Sequence, residues 1–257
     1  MKKVLSTAIL VLFSINCAYG QSIIGVVEYL KVENRDAFKT IQEKWVKIHK
    51  SRVDLEEITG WSLHEVSSRI TTQPYNYVRI TFFDSFLEME AAISEAAIQK
   101  AYPGLSKEAW KRMVDEEKSS CTIASSGVFY REIGCQPGID KSASYIVINE
   151  ITVNPGRSRD FLVMQEEYFK PVYDELIRNK ECTGWSLWAK WSGKSDNYQF
   201  VSAEGFDTLE TIETENLAHT FAVVHHGLDY GQISKNLEGI KETKNNEVWK
   251  VLFRVLP

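Results

Sequence analysis

Few residues in this chain are of types and spacings that do chemistry. His225 and His226 are adjacent, with His219 shortly before them. Imidazole suits haem iron or a divalent metal. Neighbours on a helix point about 100° apart, so the two cannot easily serve one ion. Asp229 lies one turn on, but Gly227 interrupts. A solvated helix end is the competing reading. Glu28 and Asn149 each interrupt an otherwise apolar strand face, where a polar group must be hydrogen-bonded or meet a ligand. His64 follows Trp61 on a neighbouring strand, and its counterpart in the second half of the chain is Trp188. A His matched by a Trp could line a pocket asymmetrically, and the alternative is a surface or satisfied strand His. The candidate ligand-pocket residues are therefore Glu28, His64, Asn149, Trp188, His225 and His226. No catalytic set, metal set or cofactor can be assigned. No metalloprotease helix, P-loop, nucleophile elbow or dinucleotide fingerprint stands in its required context, which weakens hydrolase and nucleotide readings.

The elements that must position these residues are written twice. Thr59-Gly60-Trp61-Ser62-Leu63 returns as Thr183-Gly184-Trp185-Ser186-Leu187. Upstream, Phe38 with Gln42-Glu43 parallels Phe161 with Gln165-Glu166, and Val27 to Val32 parallels Ile148 to Val153. Downstream, Phe83-Asp84-Ser85-Phe86 parallels Phe206-Asp207-Thr208-Leu209. Units of roughly 110 residues exceed the 20–50 of a solenoid, so this is a duplicated small domain.

Within the first unit, Ile24 to Val32 alternates as a half-buried strand with Glu28 on the Ile24, Val26, Leu30 face. Phe38, Ile41, Trp45 and Ile48 form one helical stripe. Trp61 to Val66 and Tyr75 to Phe83 read as a hairpin. Ser85 opens a second helix carrying Phe86, Met89, Ile93 and Ala97, and Ser106 caps a further one. Ile123 to Ile133 closes the unit. The second unit repeats this, with Pro171 expected to kink or divide its first helix. Thr208 to Leu217 reads as helix, and Val248 to Val255 closes. The order β-α-β-β-α-β is the ferredoxin-like pattern.

Such a unit leaves one sheet face open, and two units can bury these faces together. The strands carry large residues on both sides, among them Tyr75, Tyr77, Trp185, Trp188, Tyr198 and Trp249. The chain thus reads as α+β, two tandem repeats (21–134 and 144–257) packed sheet to sheet as an α/β barrel. In element order, duplication and Gly-Trp-Ser-Leu strand starts it resembles the dimeric α/β-barrel superfamily in tandem single-chain form. That superfamily includes antibiotic-biosynthesis-type monooxygenases, haem-degrading enzymes, chlorite-dismutase-type haem enzymes and NIPSNAP-like proteins. Haem-degrading members carry a functional Asn on the first strand, and Val147-Ile148-Asn149-Glu150 looks like that.

Composition bounds the partners. Met1–Gly20 has a basic start, an apolar run and Ala18-Tyr19-Gly20 before a cleavage point, so export to the periplasm or beyond is expected. Lipidation at Cys17 is the rival. Losing Lys2 and Lys3 takes the net charge from −5 to −7, which argues against nucleic-acid binding. No later stretch is long and apolar enough to span a membrane. Cys121, Cys135 and Cys182 are expected unpaired. Monomer and homo-oligomer both remain open. The leading expectation is a small apolar or aromatic ligand between the sheets. A cofactor-free or haem-dependent monooxygenase and an envelope interaction protein are the alternatives.

Overall fold

The computed structural model describes residues 23–69, 73–135, 143–193 and 198–257. The expected leader, with Cys17, lies outside the described residues. The first half runs β1 (Ile24–Lys31), α1 (Arg35–Asp54), β2 (Gly60–Arg69), β3 (Tyr77–Phe83), α2 (Phe86–Met89), α3 (Glu95–Ala101), α4 (Lys107–Ser120) and β4 (Thr122–Gly134). The second runs β5 (Tyr145–Val153), α5 (Ser158–Met164), a π-helical turn (Gln165–Phe169), α6 (Lys170–Arg178), β6 (Gly184–Gly193), β7 (Phe200–Phe206), α7 (Leu209–Thr214), α8 (Leu217–Val224), α9 (Tyr230–Glu238) and β8 (Lys241–Val255).

In the first half β1 pairs with β3 and β4, and β3 with β2. In the second β5 pairs with β7 and β8, and β7 with β6. The free edges then find each other across the halves, β2 on β8 and β4 on β6. All eight strands close into one antiparallel barrel. Closure leaves no free strand edge among the described residues.

The pleat sorts side chains to either side of this wall. Val27 and Tyr29 of β1, Ile146 and Ile148 of β5, and Trp188 and Trp249 belong to the core cluster inside the barrel. Ile24, Leu30, Trp61 and Leu63 point outward into a separate cluster with Phe38 of α1. Val147, Ile151, Trp185 and Leu187 do the same with Phe161, Tyr173 and Phe221. The two Trp residues of the repeated pentapeptide occupy matching places. Trp61 stacks on His49 at 4.4 Å and Trp185 on Tyr173 at 4.8 Å.

Three local features differ from expectation or refine it. The helix expected from Ser85 onward breaks into α2 and α3, because Ser94 turns its hydroxyl to the Ala97 N–H and caps a new helix. The helix from Thr208 likewise ends at Thr214, and Asn216 caps α8 through the His219 N–H. Pro171 has no N–H to give, and the turn before it widens so that the Lys170 N–H reaches Gln165 O.

Candidate functional site

The barrel interior is unevenly filled. Toward the start of β8 it is plugged by polar side chains that satisfy one another. Glu247, 1 % exposed, accepts from Tyr75 Oη at 2.7 Å, Trp249 Nε1 at 2.6 Å and Asn245 Nδ2 at 3.1 Å. The Tyr29 and Tyr198 hydroxyls meet at 3.3 Å. Burial, then the neighbouring Tyr198 and Glu150, hold the Tyr29 phenol well above its ordinary pKa, so it stays protonated.

Toward the other end, where β1, β2 and β6 begin and β3, β7 and β8 finish, the plug gives way to a cavity of about 80 Å³. Gly25, Gly184 and Gly205 line it and contribute no side chain to fill it. Its walls are apolar: Val27, Ile80, Phe82, Phe129, Ile148 and Trp188. Ser62, His64, Ser186 and Arg254 are among the lining side chains that carry polar atoms. One water needs roughly 10–15 Å³ and a drug-sized ligand roughly 300 Å³ or more. The space suits one small ring or a short chain.

The repeated Gly-Trp-Ser-Leu explains how these groups arrive. With Trp61 and Trp185 turned outward, Ser62 and Ser186 turn inward, and so do His64 and Trp188 two positions on. Trp188 Nε1 donates to Ser186 Oγ at 2.8 Å, and His64 Nε2 lies 2.8 Å from Ser62 Oγ. His64 is 1 % exposed, and its Nδ1 has no partner among the described residues. Burial first, and the Arg254 charge second, depress its pKa to about 3. It is a neutral imidazole at any ordinary pH.

The other sequence candidates stand elsewhere. Glu28 faces outward beneath the helices, where Arg79 Nε donates to its Oε2 at 2.7 Å. Asn149 also faces outward. It donates to Glu204 Oε1 at 3.2 Å and accepts from Asn246 Nδ2 at 2.7 Å. Neither lines the barrel cavity, because each has the opposite strand parity to Val27 or Ile148. His225 is half-buried. A carbonyl can only accept, so its Nε2, 2.8 Å from Tyr168 O, carries the proton. That carbonyl belongs to the π-helical turn ahead of Pro171. His226 and His219 are exposed. Among the described residues no three His, Cys, Asp or Glu side chains group as metal ligands. The three described cysteines are free.

Sequence reasoning passed over Ser62, Ser186 and Arg254. The signal was present for the serines, since both sit in the repeated pentapeptide, one residue past each Trp. It also passed over a carboxylate pair on the outer side of the second half. Glu204 is raised by burial, against hydrogen bonds from Tyr173, Ser202 and Asn149. Glu215, with Oε1 buried and unpartnered, is raised to about 8 by burial first and by Glu204 and Glu181 next. A raised carboxyl stabilises fully below its unfolded value near 4.5 and loses that contribution as pH rises through about 8. Glu215→Gln is therefore expected to stabilise the fold by about 1–3 kcal/mol at pH 9, with the gain gone below pH about 5. Urea melts of both proteins at the two pH values check this, and an equal effect at each would refute it.

No protein-family model and no curated protein matches the chain. Solved structures do match. A candidate monooxygenase from Fusobacterium nucleatum superposes with a TM-score of 0.56 over 92 % of this chain and 94 % of its own, at 13 % identity. A candidate monooxygenase from Lactobacillus acidophilus gives 0.53 over 91 % and 94 %, at 12 % identity. The chain has a ferredoxin-like α+β barrel fold. A haem-binding protein from Thermus thermophilus also matches, at 0.48 and 8 % identity over 90 % and 92 %. At these identities the likeness to the two candidate monooxygenases speaks for the fold alone. Among the described residues no helix is long and apolar enough to cross a membrane.

Proposed function

We propose that this is an exported protein of two tandem ferredoxin-like repeats, 21–134 and 144–257, which binds a small apolar or aromatic molecule inside its barrel. The cavity bounded by Phe82, Phe129 and Trp188 carries the reading. The matched strand pairings of the two halves support the tandem arrangement. The leader-like pattern of Met1–Gly20 supports export, and mass spectrometry of the protein recovered from the envelope tests it.

Gly25 gives a direct test of the cavity. A Cβ there would stand 3.6 Å from Trp188, 3.7 Å from Ile80 and 3.8 Å from Phe82, which is ordinary contact. Gly25→Ala is expected to fold and to gain about 0.5–1 kcal/mol from the stiffer unfolded chain. The added methyl overfills an occupied cavity, so toluene should bind roughly fivefold more weakly or worse. Titration followed by the Trp188 indole N–H resonance measures it. Undiminished toluene binding in the variant would place the ligand elsewhere.

The alternative is a monooxygenase, favoured by the barrel likeness to two candidate monooxygenases. The cofactor-free form needs a titratable base facing a cavity. His64 faces one, but at a pKa of about 3 it takes up protons poorly. Glu28 is held by Arg79, and Asn149 cannot titrate. Haem does not fit the barrel interior or the second-half core. The barrel cavity is too small for a porphyrin, and the space under the second-half helices is filled by Phe161, Phe169, Tyr173 and Phe221. His225, the half-buried imidazole, is spent at Nε2 on Tyr168 O. A Soret band in protein incubated with haemin would reverse this judgement.

A further inference from the structure

We propose that the barrel cavity selects small apolar molecules bearing one carbonyl or carboxylate oxygen, which accepts a hydrogen bond from the Ser186 hydroxyl. This rests on the reading of the cavity as a binding site. The direction of one hydrogen bond sets what the cavity offers. The indole N–H of Trp188 can donate and nothing else, so Ser186 Oγ is its acceptor at 2.8 Å. The Ser186 proton must then be given away, and no acceptor for it is found among the described residues. Ser186 is 4 % exposed and lines the cavity. A buried donor left without an acceptor is destabilising, and an oxygen supplied by a ligand relieves it.

The first half repeats the arrangement. Ser62, 3 % exposed, holds the place of Ser186, and His64 holds that of Trp188 with the same 2.8 Å approach to the serine oxygen. In the Nε2–H tautomer Ser62 too has a proton to offer the cavity, and in the other Ser62 donates to Nε2 and leaves the Nδ1–H as the unpartnered donor. The same strand position of each half thus brings a serine to the one cavity, from β2 on one wall and β6 on the opposite one.

The remaining lining agrees in sign. Arg254 is a cation at the same end of the barrel, and no Asp or Glu lines the cavity. The buried carboxylates of the interior, Glu150 and Glu247, are not among its lining. A cationic ligand would find no counter-charge in the lining. A pure hydrocarbon would fit the walls and leave the Ser186 proton unused. An apolar body with one accepting oxygen meets both demands.

The experiment compares three probes of similar size, ethylbenzene, acetophenone and benzoate, by titration calorimetry of wild type and variants, with the Trp188 indole N–H resonance locating the site in wild type. The two oxygen-bearing probes separate carbonyl from carboxylate recognition. At least one should bind threefold to tenfold more tightly than ethylbenzene, as one neutral hydrogen bond provides. Ser186→Ala strands the indole N–H, so the paired variant Ser186→Ala/Trp188→Phe is tested beside it, since removing both partners leaves no orphan. Ethylbenzene should still bind these variants while the preference for oxygen shrinks to near unity. Equal affinity of all three probes for wild type, or a preference that persists when Ser62→Ala is added to the paired variant, overturns the proposal and leaves the cavity reading intact. Binding of none of the three overturns both.

Discussion

Arg79→Met is expected to cost the fold about 3–5 kcal/mol, the range for removing one member of a buried ion cluster. Arg79 sits on β3 directly opposite Glu28 of β1, and its Nε donates to Glu28 Oε2 at 2.7 Å. Its other arm donates to Glu117 of α4. The three side chains are 15 %, 24 % and 13 % exposed. One guanidinium therefore ties two strands and a covering helix together. Burial alone would lower its pKa, and the two carboxylates outweigh that and raise it. With Met in place, Glu28 and Glu117 face each other beneath α4 without a counter-charge. The companion variant Glu28→Gln/Arg79→Met/Glu117→Gln removes all three charges and should recover more than half the loss. Urea unfolding at pH 7 measures both. A loss under about 1 kcal/mol in the single variant would mean that the cluster is solvated and contributes little.

The second large effect is acid destabilisation through His64. Its folded pKa of about 3 lies below the unfolded value of 6.5. As pH falls below 6.5 the unfolded chain takes up a proton that the folded one refuses, so stability drops with pH until about 3. By pH 5 the loss from this residue is about 2 kcal/mol. His49, also depressed by burial and then by Arg52 and Arg79, acts in the same direction. Glu215 acts oppositely between 4.5 and about 8. The informative quantity is therefore the difference between wild type and His64→Leu. That difference should favour the variant increasingly from pH 7 to pH 4, by about 1.4 kcal/mol per unit below pH 6. A flat difference would mean that His64 is solvated or paired when charged, and its burial in the barrel wall would be lost with it.

Much of the fold was legible because strand periodicity and caps are local. Glu28 was assigned the face of Ile24, Val26 and Leu30, and that is the face it takes. Ser106 was read as a cap, and its hydroxyl accepts from the Ala109 N–H. Pro171 was expected to disturb its helix, and the π-helical turn lies just before it. The break between α2 and α3 was missed because Glu88 to Ile93 are good helix formers, and only the competing cap at Ser94 ends the run. Helix α9 was passed over altogether. Its apolar residues are few and Gly231 lies in its first turn, so it is held by Leu237 and Ile233 against the second-half core.

The site divides along the same line. A Trp followed by a Ser, twice, at the start of a strand was enough to set which side chains share a face, because the pleat admits one alternation. Partnership was not readable. Glu28 meets Arg79, Asn149 meets Glu204 and Asn246, and His225 meets a carbonyl of a distant turn, all through residues far apart in the chain. Nor could the chain alone say that β2 would join β8 and β4 join β6. Local periodicity determines what each strand presents. Closing the barrel determines which of those faces meet, how much of the lumen they fill, and that the unfilled part lies beside Ser62, His64, Ser186 and Trp188.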